Sequence, residues 1–270
     1  MAKPETITSA ANPLLKDVRR AVARGSLTAQ GCWVAETFHL LEEALRSDCE
    51  ITAVLCSETA RGAVEAHLGR LPVRLIVLPD ALFSGLAGTE TSQGVVALVR
   101  PPEWKLEQLF PPPALVVVLD GLQDPGNAGA IVRAAEAFGA TGLFLLKGAV
   151  SPFNPKTLRA SAGSLFRLPF LHGVDPPSVC AALQRNGVAL FAGVPAGSGS
   201  RGLASVDLTV PCALVIGNEA HGVGAIVRAA ARDVTIPTVG VESLNAAVAA
   251  GILLYEARRQ RMLHQRMLPS

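Results

Sequence analysis

The sequence predicts an α/β chain of two domains, a smaller N-terminal α/β unit and a larger C-terminal unit built on a mostly parallel sheet. Three observations predict it. Strand-like apolar runs alternate with helical stretches through the second half of the chain. Pro101-Pro102 and Pro111-Pro112-Pro113 make a break where neither a helix nor a central strand can continue. A chain of 270 residues with 50% hydrophobic content is long enough for two separate cores.

The proline-rich stretch over 101–113 is therefore read as a linker, with one domain over 1–100 and the other over 114–270. Before it, Pro13–Ala23 and Thr37–Arg46 have helical periodicity, while Ile51–Cys56, Val73–Leu78 and Gly94–Val99 read as strands. After it, strands are predicted at Leu115–Leu119, Leu143–Leu146, Val188–Phe191, Ala213–Ile216 and Val234–Ile236. The last helix is expected from Leu244 to about Gln260, with Leu244, Val248, Ile252 and Tyr255 on its apolar face. Parallel sheets of this kind bind ligands outside the carboxyl ends of their strands.

Composition narrows the function classes. The chain carries 24 Lys+Arg against 22 Asp+Glu, so any nucleic-acid binding has to rest on local basic patches. Its five cysteines, Cys32, Cys49, Cys56, Cys180 and Cys212, form no Cys-x-x-Cys pair, which argues against a disulfide framework and a zinc ribbon and for a reducing cytoplasm. No apolar run has the length of a membrane span, and Met1–Asn12 has no apolar signal core.

Three loops carry residues suited to chemistry. In Leu119-Asp-Gly-Leu-Gln-Asp-Pro-Gly-Asn-Ala-Gly-Ala-Ile-Val-Arg133 a strand passes through a turn into a helix, with Asn127 as a candidate cap and Arg133 further along. It has neither a dinucleotide glycine fingerprint nor a Walker loop. In Leu214-Val-Ile-Gly-Asn-Glu-Ala-His-Gly222 a buried strand ends in a polar cluster whose glycines let backbone approach a ligand. Glu219 and His221 suggest acid–base work but are too few to bind zinc, and an exposed loop residue is the plainer reading of His221. In Ile236-Pro-Thr-Val-Gly-Val-Glu-Ser-Leu-Asn-Ala-Ala-Val248, Ser243 is a candidate N-cap and Asn245 a first-turn residue whose amide is free to point into the crevice.

In order and spacing these loops resemble the three motifs of the SpoU/TrmH family of RNA ribose 2'-O-methyltransferases, over roughly residues 114–262. The intervening Lys156-Thr-Leu-Arg-Ala-Ser-Ala-Gly-Ser-Leu-Phe-Arg-Leu-Pro169 is similar to the family's Arg-x-Ser-x-Gly segment. Asn12-Pro13, Lys16, the Glu36–Ala44 helix and Thr91-Ser-Gln-Gly-Val-Val96 resemble its substrate-binding domain, which is similar to ribosomal proteins that bind kinked RNA. The resemblance implies a C-terminal trefoil-knot domain of the SPOUT class, S-adenosyl-L-methionine as cofactor, no metal, and a homodimer acting on RNA, with ribosomal RNA favoured.

By the same resemblance Asn127, Arg133, Glu219, Ser243 and Asn245 are the catalytic set. Ile216, Gly217, Asn218, Ile236, Leu244 and Asn245 are the cofactor set, Gly217, Ile236 and Leu244 acting through their main chain. A guanidinium is a poor general base, so Arg133 is expected to bind the target phosphate and stabilise developing charge, with phosphate or solvent taking the proton. Lys16, Arg20, Lys156 and Arg159 are candidate phosphate contacts, joined by Arg19 and Arg167 and by Arg258, Arg259 and Arg261 if the last helix takes part. The alternatives are a tRNA ribose methyltransferase, a non-catalytic RNA-binding or assembly factor of the same fold, and a nicotinamide oxidoreductase suggested only by the parallel sheet and the Gly-bearing first loop.

Overall fold

A computed structural model describes residues 4–86, 92–195 and 200–267; Thr91 of the motif above lies outside them. The chain divides into two compact units, the first made of 1–103 and 153–167 and the second of 104–152 and 168–270.

Among the described residues the first unit has five strands, β1 (Glu5–Thr6), β2 (Trp33–Glu36), β3 (Glu50–Ser57), β4 (Leu75–Leu78) and β5 (Val95–Arg100), in the order β1-β4-β3-β5-β2. Its helices are α1 (Pro13–Arg24), α2 (Phe38–Leu45), α3 (Arg61–Leu68), α4 (Asp80–Ser84) and, from the later segment, α6 (Pro155–Ala160). Asn12 caps α1 by accepting from the Leu14 N–H at 2.9 Å, with Pro13 at the first helical position where its missing N–H costs nothing. Strand β2 escapes the sequence reading because all four residues, Trp33 to Glu36, are buried, so no polar alternation marks it.

Phe153–Arg167 corrects the expected division at 114. Phe153 and Phe166 pack against the fully buried Trp33 with ring centroids 5.8 and 5.5 Å away. Arg159 pairs with the buried Glu36, and Arg167 with Glu43 at 2.6 Å. These attractions join positions more than a hundred residues apart, so no local pattern announces them. The assumed linker is also partly structured. Leu106–Leu109 forms a 3-10 turn, and Leu109 is fully buried in the core of the second unit.

Among its described residues the second unit holds seven parallel strands in the order β10-β12-β9-β11-β6-β7-β8. They are β6 (Leu115–Asp120), β7 (Gly142–Leu146), β8 (Phe170–Val174), β9 (Ala189–Gly193), β10 (Arg201–Gly202), β11 (Cys212–Gly217) and β12 (Arg232–Thr235). The helices are α5 (Pro125–Ala137), α7 (Pro176–Arg185), α8 (Ala225–Ala230) and α9 (Ala246–Met267). Val116, Val118, Phe144, Ala213 and Val215 point to one side of the sheet and share a core with Val179 and Leu183 of α7 and Val227 of α8. Strand β8 lies at the sheet edge with only Phe170 buried, which explains why its sequence, Phe-Leu-His-Gly-Val, shows no apolar run.

Helix α9 differs from the expectation in which side it buries. Ala250, Leu253, Leu254, Ala257 and Arg261 face inward, whereas Val248 and Tyr255 of the predicted apolar face are 52% and 55% exposed. Small alanines at 250 and 257 let the helix lie close to α5 and the sheet, and packing of this kind overrides a count of apolar side chains. Among the described residues no helix is long and apolar enough to cross a membrane.

Candidate functional site

Strands β12, β9, β11 and β6 are neighbours running the same way, so their carboxyl ends share one edge of the sheet. The three loops singled out above begin at that edge, after Asp120, Gly217 and Thr235.

The first loop is closed by Asp124, not by Asn127. The Asp124 carboxylate accepts from the Asn127 N–H at 2.6 Å, and Pro125 occupies the first position of α5. Asn127 is thus in the first helical turn with its amide free to act elsewhere. A similar exchange occurs at α9. Asn245 is the cap, its Oδ1 accepting from the N–H groups of Ala247 at 2.9 Å and Val248 at 3.3 Å, while Ser243 stands exposed before it.

These shifts assemble a directed chain of hydrogen bonds. Asn245 Nδ2 donates to Asn127 Oδ1 at 3.0 Å, and Asn127 Nδ2 donates to Glu219 Oε1 at 3.2 Å. A carboxylate only accepts and helix N–H groups only donate, so both amide orientations follow from the two ends of the chain. One residue from each loop takes part. Replacing Asn127 by Asp would oppose two carboxylates across this contact. It would also remove the donor from which Glu219 accepts.

The second loop is a tight hairpin. Asn218 and Gly222 exchange main-chain hydrogen bonds at 2.9 and 2.8 Å around Glu219, Ala220 and His221. Gly222 has φ +69°, a conformation that glycine adopts at little cost. A Cβ on Gly217 would lie 2.2 Å from the Gly222 carbonyl carbon and 2.3 Å from the Val223 nitrogen, so its glycine is required by the returning arm of its own loop. Asn218, expected as a cofactor contact, uses its side chain inside the protein: Nδ2 donates to the Gly121 carbonyl at 2.8 Å, and Oδ1 accepts from the N–H groups of Ala220 and His221. Sequence reading missed Asp120, whose carboxylate accepts from the Gly224 N–H at 2.7 Å and fastens the loop after β11 to the end of β6.

Arg133 lies on α5, exposed and without a hydrogen bond or ion pair among the described residues, and the chain of amides does not include it. Ile216 is buried, and Ile236 and Leu244 are half-buried beside the same edge. Thr235, the last residue of β12, is 8% exposed, and its Oγ1 is a buried polar atom with no partner among the described residues. An apolar, partly shielded strand edge with main-chain amides and one unsatisfied hydroxyl fits a ligand with a flat ring and polar substituents.

The proposed phosphate contacts separate into two groups. Lys16 and Lys156 are exposed, and Arg20 is 58% exposed with Asp17 only at 3.9 Å. Arg159 is held by Glu36 and Arg167 by Glu43, Arg19 donates to the carbonyls of Ala10 and Gly85, and Arg259 pairs with Glu256. Arg261 is buried and bonded to main-chain carbonyls, so it serves the fold.

The model of the SpoU rRNA methylase family matches residues 114–255, and that of RNA 2'-O ribose methyltransferase substrate binding matches residues 36–105. The chain is 33% identical to the 23S rRNA (guanosine(2553)-2'-O)-methyltransferase RlmP of Bacillus subtilis, over 93% of this chain and 98% of that protein. Its fold is similar to the AdoMet-bound rRNA methyltransferase from Sinorhizobium meliloti, with a TM-score of 0.81, 28% identity, and coverage of 98% and 99% of the two chains. It is likewise similar to the SpoU methyltransferase AviRb from Streptomyces viridochromogenes in complex with AdoMet, with a TM-score of 0.82, 29% identity, and coverage of 93% and 98%.

Proposed function

This chain belongs to the SpoU rRNA methylase family, and on that premise we propose that it methylates a ribose 2'-hydroxyl of RNA, with large-subunit ribosomal RNA as the substrate. The observation that carries the reading is the hydrogen-bond chain Asn245–Asn127–Glu219, which joins the three motif loops through their polar residues. S-Adenosyl-L-methionine is the cofactor and supplies a methyl group activated on a sulfonium.

The main chain at Ile216, Gly217, Ile236 and Leu244 would hold that cofactor, with the Thr235 hydroxyl available to one of its polar atoms. Glu219, Asn127 and Asn245 fix the loops against one another, so the two substrates meet in a prepared geometry, an effect worth up to roughly 7–11 kcal/mol in favourable systems. Ser243, exposed just before the α9 cap, is left to contact substrate. Arg133 binds the target phosphate, for which an exposed and unengaged guanidinium is well suited. In the first unit Lys16, Arg20 and Lys156 supply further phosphate contacts, and with 4% aromatic residues recognition rests on shape and backbone. The protein works in the cytoplasm as a homodimer, its second copy covering the exposed Val248, Tyr255 and Met262 of α9, and its catalytic domain has the family's knot. A single-chain mass for the active species in sedimentation would remove the dimer from this account.

The test is transfer of labelled methyl to purified ribosomal RNA and to tRNA, followed by mapping of the modified ribose. Label at one 2'-oxygen of the large-subunit RNA is expected. Label confined to tRNA would change the substrate, and cofactor binding without transfer would indicate a non-catalytic RNA-binding factor. In the same assay Arg133→Lys is expected to lower turnover by about 100-fold, since an ammonium cannot reproduce a forked contact to phosphate. Near-normal turnover would sink the guanidinium role.

A further inference from the structure

The hairpin after β11 holds a group that the phosphate-directed role of Arg133 leaves unused. His221 Nδ1 lies 3.1 Å from Asn218 Oδ1. That atom also accepts from the main-chain N–H groups of Ala220 at 2.9 Å and His221 at 3.0 Å, while the amide nitrogen donates to the Gly121 carbonyl at 2.8 Å. The other three contacts therefore identify Oδ1 as the oxygen, and an oxygen facing Nδ1 requires that Nδ1 carry the hydrogen. Neutral His221 is thereby held in one tautomer, with the lone pair on Nε2. The ring is exposed, and Nε2 has no hydrogen bond among the described residues.

Its position also matters. His221 shares a three-residue hairpin tip with Glu219, and Glu219 accepts from Asn127 in the first turn of α5, the helix that bears Arg133. A base presented at this tip stands beside the polar chain linking the three loops. The charged groups on the elements that meet the hairpin are Glu219 in the tip, Asp120 at the end of β6, Asp124 at the cap of α5 and Arg133 two turns along that helix.

We propose that His221 is a catalytic residue whose Nε2 accepts the proton of the ribose 2'-hydroxyl, with Asn218 as the positioning residue that sets its tautomer. This inference rests on the methyl-transfer reading. Nε2 takes the hydroxyl proton as the 2'-oxygen forms its bond to the methyl carbon and the carbon–sulfur pair stays with sulfur. The sulfonium charge is thereby neutralised, and the imidazolium returns its proton to solvent. A ring held by a fixed amide needs no reorganisation to act, the arrangement that makes an oriented imidazole an effective base.

Two measurements test it. Long-range proton–nitrogen NMR of the cofactor-free full chain is expected to show the neutral His221 ring with its hydrogen on Nδ1 and Nε2 bare; a neutral ring with its hydrogen on Nε2 would overturn the proposal. His221→Gln is expected to lower single-turnover transfer to ribosomal RNA by about 100-fold at saturating cofactor and RNA, with calorimetric cofactor affinity and RNA affinity within two-fold of wild type. Turnover within a few-fold of wild type, or a loss explained by weaker binding, would overturn it as well. A wild-type chain that transfers no methyl to RNA would remove the functional reading and this role together, whereas transfer by both wild type and His221→Gln would remove the role alone.

Discussion

Gly217→Ala is expected to weaken cofactor binding by about 100-fold while leaving most of the chain folded. The new methyl would sit 2.2–2.4 Å from main-chain atoms of Gly222 and Val223, far inside contact distance, and main chain cannot rotate aside as a side chain can. Strand β11 is tied between β9 and β6 and cannot yield, so the returning arm of the hairpin must. Overpacking of this kind costs about 1–3 kcal/mol. Moving the arm would also strain the Asn218–Gly222 bridge, the Asp120–Gly224 bond and the Glu219–Asn127 contact. A loss of about 3 kcal/mol from the binding-competent loop corresponds to roughly 100-fold in affinity, which calorimetry would read directly. Wild-type affinity would show that the returning arm of the hairpin takes no part in holding the cofactor.

The second large effect is expected at Arg261, which the sequence places on a basic helix end and the structure places in the interior. Its Nε donates to the Leu208 carbonyl at 3.0 Å, Nη1 to Pro113 at 2.8 Å, and Nη2 to Ala114 at 2.8 Å and Val210 at 2.9 Å. The side-chain neighbour is the Cys212 thiol at 3.5 Å, pushed up to about 11 by burial against the opposing pull of Arg261, and therefore neutral near pH 7. The charge is thus stabilised by carbonyl dipoles that converge from the segments entering β6 and β11, and it pins α9 to both. Arg261→Met fills part of the volume and leaves those acceptors without their donor. With charged hydrogen bonds worth about 1.5–3 kcal/mol each and not additive, a loss of about 3–4 kcal/mol is expected in urea denaturation. Arg261→Lys should recover little, because three donors on one nitrogen cannot reach acceptors spread along a planar fork. A loss under about 1 kcal/mol for Arg261→Met would mean that water satisfies the carbonyls instead.

Legibility differed between the site and its surroundings for reasons seen in particular residues. Asn127, Glu219 and Asn245 were recognisable because each belongs to a short motif of fixed local spacing, and the structure bonds them together. Their duties were partly misjudged. Asn127 and Ser243 were candidate caps, yet Asp124 and Asn245 cap the helices, since several Asx and Ser residues near a helix start compete and only geometry selects among them. The Asn218 side chain closes a hairpin, a duty that no local pattern announces, and His221, read as an exposed loop residue, is exposed with its Nδ1 against that same amide.

By itself the sequence determined the α/β class, the buried parallel strands and the three polar loops at their ends, because β-branched runs, prolines and capping residues act over a few residues of chain. Tertiary structure alone decided that Phe153–Arg167 belongs with the first unit, that α9 buries Ala250 and Ala257 and exposes Val248 and Tyr255, and that Arg261 is a buried anchor. Each of these depends on which partner a side chain meets across a long stretch of sequence. Arg159 finds Glu36 and Arg261 finds the carbonyls of Pro113 and Ala114 only after the chain has folded back on itself, and the low dielectric of the interior then makes those pairings strong enough to set the packing.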